Sequence, residues 1–108
     1  MPGRSTKPTD ANVNREIGAY SQRAYGLAKA VVDGTAGDKE KQTAADLANE
    51  LPEQAAKAKG LAEAYRADAQ RSLSEARLDL AYVAAGGGIP SSIRLGRYIA
   101  EQESAAAE

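Results

Sequence analysis

The chain has 108 residues, a net charge of −1 and a sequence pI near 5.5, a balance that gives nucleic acid no general electrostatic pull. Cysteine and histidine are both absent, which excludes disulfides, thiolate or imidazole metal centres and the familiar catalytic triads. Twenty-four residues are alanine and only sixteen are Leu, Ile or Val, with no Phe or Trp, so long helices around a thin core in one domain are predicted.

Residues 1–9, "MPGRSTKPT", carry two prolines, Arg4 and Lys7 without an apolar period, and read as a flexible basic arm. Thr9 or Asp10 then caps a helix expected over about residues 10–32. Its apolar residues Val13, Ile17, Tyr20, Ala24, Leu27 and Val31 alternate spacings of four and three, the pattern of a coiled-coil seam. "DGTAGD" (33–38) ends it. Gly34 and Gly37 supply the turn and Asp38 the next cap.

The region 39–85 carries a second seam of Ala44, Leu47, Leu51, Gln54, Ala58, Leu61 and Tyr65, continued through Leu73, Ala76, Leu80 and Val83. Pro52 lies inside it. Proline lacks a backbone donor and disfavours helix at the residue before it, so a kink or break is expected there, with helices over about 39–50 and 53–85. "GGG" (86–88) stops this region. Ser91 or Ser92 caps a last helix to about residue 103, with Ile93, Tyr98 and Ile99 as an apolar stripe and Leu95 nearby. Residues 105–108 read as a frayed tail.

These elements predict an all-α fold: an elongated, coiled-coil-like antiparallel helical hairpin with a short C-terminal helix, forming one domain over 10–104. The first helix is roughly 35 Å long and the 39–85 region roughly 70 Å if straight. Part of the seam is therefore expected to stay uncovered, which points to self-association or a helical partner.

Candidate chemistry is sparse. No Ser-x-x-Lys spacing occurs, and Glu50 and Glu53 lack the histidine of a Glu-x-x-His metal motif. "AGGGIPSS" follows a helix rather than a strand and brings no lysine, unlike a phosphate-binding glycine loop. The same stretch resembles a helix-turn-helix in Ala84, Gly88 and Ile89, with Arg94 and Arg97 on the following helix. It departs from that motif where Arg94 stands at a position that is normally apolar, and the glycines read more readily as a plain hinge. Tyr25 and Tyr98, each near an arginine, are candidates for a partner surface.

The expectation is a non-enzymatic helical interaction or assembly subunit, a scaffold or adaptor, that self-associates or docks on a helical partner. The residues expected to be buried in that contact are Val13, Ile17, Tyr20, Leu27, Val31, Leu47, Leu51, Leu61, Tyr65, Leu73, Leu80 and Val83. The alternative is a small DNA-binding or DNA-packaging accessory protein of the phage or plasmid kind, with Arg4, Lys7, Arg94 and Arg97 on the phosphates. No catalytic residue, metal, cofactor or small-molecule substrate is expected. Nor is a membrane: no apolar h-region opens the chain, and the longest uncharged stretch, Leu80 to Ile93, is too short to span one. A soluble protein of the cytoplasm, or one enclosed in a virion-like assembly, is the expected setting.

Overall fold

The computed structural model describes residues 9–107, and these form four helices with no strand among them. In chain order they are α1 (Asp10–Asp33), α2 (Asp38–Lys59), α3 (Glu63–Ala85) and α4 (Ile93–Ala107). The expected basic arm, with Arg4 and Lys7, lies outside the described residues apart from Thr9.

Local signals place the helix ends. The Thr9 hydroxyl accepts from the Asn12 amide at 3.1 Å and caps α1. Gly34, at φ 77°, closes α1 in the left-handed region that other residues avoid. The Gly37 amide donates to the Glu40 carboxylate at 2.6 Å at the start of α2. This contact holds the Glu40 carboxyl below its ordinary value.

The break in the long region falls eight residues later than expected. α2 runs through Pro52 without interruption and ends at Gly60, and the chain turns over Leu61 and Ala62 into α3. Leu47 and Ala58 are buried on either side of the proline and Leu51 packs against the core, so tertiary contacts hold the helix across the missing donor. Pro52 leaves the Ala48 carbonyl without its helical partner. At the adjacent Leu47 the carbonyl accepts the buried Tyr20 hydroxyl from α1.

The fold at Gly60 makes a three-helix bundle rather than the expected two-armed hairpin. The Ala62 amide donates to Asp10 at 2.9 Å, and the Asn14 side chain donates to Asp68 at 3.0 Å, so α1 and α3 run side by side in the same direction. α2 runs against both. Ile17, Tyr20, Ala24 and Ala28 of α1 meet Ala44, Leu47 and Ala58 of α2 and Ala69, Leu73, Ala76, Leu80 and Val83 of α3 in one core. Alanine at half of these positions lets the helices lie close and keeps the core thin.

α4 then travels alongside, not across. Arg94 bonds to Ser21 and Tyr98 to Asp33, so α4 runs parallel to α1. It passes beyond the bundle's end. Each bundle helix is about 35 Å long, whereas the molecule measures 60 × 27 × 19 Å. The helix continues to Ala107, through residues expected to fray, and every residue from Ala100 to Ala107 is exposed.

Candidate interaction site at the junction of α3 and α4

The three glycines set up the junction. Gly86 caps α3 at φ 71°, and Gly87 and Gly88 follow at 89° and 79°. Three consecutive left-handed residues turn the chain back along α3, which only glycine does without strain. The loop thereby returns Ser92 to the level of Asp79, about two turns below the end of α3.

Asp79 is fully buried, and its carboxylate receives α4. The Ser92 hydroxyl donates to one oxygen at 2.5 Å, and Arg94 Nε donates to the other at 2.9 Å, with Nη2 2.7 Å from the same oxygen in an ion pair. Nη2 also donates to the carbonyl and hydroxyl of Ser21, both at 2.9 Å. The Arg94 guanidinium stacks 4.8 Å from the Tyr25 ring centre, and Glu75 lies 3.7 Å from Nη1. Ser92 also starts the helix, because its hydroxyl accepts from the Leu95 amide at 3.2 Å.

The network continues along α1. The Lys29 ammonium lies 4.7 Å from the Tyr25 ring centre and 5.4 Å from that of Tyr98. The Tyr98 hydroxyl donates to both oxygens of Asp33, at 2.6 and 2.9 Å, and this bond to a carboxylate raises its pKa. Apolar burial contributes little here. Leu95 is the only residue of α4 that is buried, worth about 1.5–3 kcal/mol. A buried ion pair roughly balances its desolvation cost, so Asp79 and Arg94 orient α4 more than they hold it.

The segments that meet at this junction also expose apolar side chains. Among the described residues the exposed large hydrophobics are Leu78, Ile89 and Ile93, at 46%, 40% and 76% exposure. Leu78 precedes Asp79 on α3, and Ile93 follows Ser92 at the start of α4. Ile89 lies in the connecting loop. An open groove of about 430 Å³ runs between α4 and the ends of α1 and α3, with Val31, Val32, Tyr82 and Ile99 on its walls.

The residues singled out from the sequence fall into three groups. Ile17, Tyr20, Leu47, Leu61, Leu73, Leu80 and Val83 are buried in the bundle's own core, and Val13, Leu27, Val31, Leu51 and Tyr65 pack against it. The seam expected to lie partly open is thus covered from within. Arg94, placed on DNA by the alternative reading, points inward to Asp79. Arg97 is exposed, and Arg4 and Lys7 lie outside the described residues.

α4 follows the direction of α1, and its first arginine is engaged by Asp79 and Ser21. Asp79, Ser92, Ser21 and Leu95 were not foreseen as site residues. The signal in the sequence was an acid flanking the apolar series Ala76, Leu80, Val83, opposite an arginine flanking Leu95. No helix among the described residues is long and apolar enough to cross a membrane, and no group of three acidic side chains there is placed to hold a metal ion. No protein-family model matches the chain, and neither a curated protein nor a solved structure matches it.

Proposed function

We propose that the chain is a non-enzymatic helical assembly subunit that associates with a second copy of itself through the α3–α4 junction. The observation that carries this reading is the exposure of Leu78, Ile89 and Ile93, one on each of the three segments that meet at this junction. Removing such exposed apolar side chains from water is what drives most association.

The charges of α4 favour a like partner. Ile93, Arg97, Ala100, Glu101 and Ser104 follow one another at helical spacing, and all five are exposed. An antiparallel two-fold copy centred near Ile99 sets Arg97 against Glu101 twice, with Ala100 allowing close approach. The net charge of −1 places no general repulsion between copies. A nucleic-acid reading has less support, because α4 offers solvent only one of its two arginines.

Sedimentation equilibrium tests the reading. Wild type is expected to self-associate. Ile93→Asp, a change at an exposed position, is expected to weaken association at least about tenfold while leaving helicity intact. Arg97→Glu and Glu101→Arg each weaken it, and the double reversal restores it. A wild-type protein that stays monomeric at high concentration, or an Ile93→Asp variant with unchanged association, overturns the proposal.

A further inference from the structure

We infer that α4 is a releasable strap: it undocks from the bundle as a unit, pivoting on Gly86–Gly88, while α1, α2 and α3 stay folded. The inference stands on contacts within one chain and holds whether or not two copies associate.

Three observations carry it. First, the core is complete without α4. Every buried hydrophobic residue among those described, except Leu95, belongs to α1, α2, α3 or the turn at Leu61, and α2 makes no contact with α4. Second, the anchor is polar, and water can replace it. When α4 leaves, Asp79, the Ser21 carbonyl and the Arg94 guanidinium are hydrated together, so no charge is stranded in an apolar interior. Breaking the pair by mutation inside a docked structure has the opposite consequence, since one charge is then buried alone. Third, the pivot consists of three glycines held at positive φ, the residues that regain most backbone freedom on release.

Release has a defined effect on the surface. Ile89 and Ile93 travel with the strap, whereas Leu78 and Tyr82 remain on α3, so these side chains share one junction only in the docked state. Undocking also bares Asp79, Ser21 and the face of Tyr25. α4 therefore switches the Asp79 site between a covered and a hydrated state.

Native-state hydrogen exchange tests this on the full chain, in dilute wild type and in Ile93→Asp so that association does not contribute. The readout is the amides of Leu95 to Tyr98, not the exposed tip of α4. They are expected to exchange roughly 100-fold faster than the core amides of α1 and α3, through a local opening. Arg94→Ala is expected to speed them about tenfold further without changing the bundle. Gly87→Ala is an independent second variant. Its φ of 89° strains any side chain, and the added Cβ would meet the Tyr82 hydroxyl at 3.4 Å. It too should speed α4 alone. Equal exchange in α4 and the bundle, or acceleration of all four helices together in both variants, overturns the inference.

Discussion

Tyr20 shows how one side chain joins two helices and reports on both. Its ring fills the core between α1 and α2, and its hydroxyl satisfies the Leu47 carbonyl next to the gap that Pro52 leaves. Burial raises its pKa, and the nearby Glu50 carboxylate raises it further. The folded value therefore lies above the unfolded one, near 10. Such a group contributes stability that is fully present below the unfolded pKa and is lost as pH rises through the folded pKa. Denaturant midpoints are expected to fall above about pH 10 in wild type. Tyr20→Phe should cost about 1 kcal/mol near neutral pH and show a shallower alkaline decline. Parallel pH curves for the two proteins would refute this role. Tyr20 was legible as a seam residue from its spacing. Its partner was not, because the Leu47 carbonyl becomes available only once α2 packs against α1. The same holds for Arg94. Its partners Asp79 and Ser21 are 15 and 73 residues away, and a charge beside an apolar stripe looks alike whether it faces water or a buried carboxylate.

At the scale of the element, α2 holds the main difference between expectation and structure. Proline and glycine both interrupt helices, and the chain breaks at the glycine. Lys57, Lys59 and Gly60 together form a C-terminal signature, with basic residues in the last turn and glycine after it. That signal was present in the sequence, but Pro52 outweighed it on local propensity alone. The core decides otherwise, since Leu47 and Ala58 are both required on the inner face. Pro52 is thus a cost that packing offsets, and it is exposed, so nothing in the core needs its ring. Pro52→Ala restores the amide that Ala48 lacks. It is expected to raise stability by about 1–3 kcal/mol, read as a higher denaturant midpoint with an unchanged slope. A lower midpoint would mean that the local opening at Pro52, and the Tyr20 contact beside it, outweighs the restored hydrogen bond.

For the whole molecule, the question is what the long apolar seams bury themselves against. Periodicity fixes which residues are apolar on one face, so the seam members were legible one by one. It does not fix whether the covering helix comes from the same chain. The turn at Gly60 settles that by folding the 39–85 region onto itself, which shortens the molecule and supplies the third helix that covers the seam. Two aspartate substitutions separate the consequences. Leu80 is 4% exposed in the core, so Leu80→Asp buries an unpaired carboxylate and leaves unfilled space. A loss of at least about 3 kcal/mol is expected, seen as loss of helical ellipticity and a collapsed thermal transition. Ile93 is 76% exposed, so Ile93→Asp should keep the wild-type transition in dilute solution and change only the mass at high concentration. If Leu80→Asp instead stayed fully helical and merely became monomeric, the seam would be an interface between chains, as the uncovered hairpin expected from the sequence would require. The contrast between the two variants distinguishes a bundle that folds alone and associates at its α3–α4 junction from a hairpin that folds only in company.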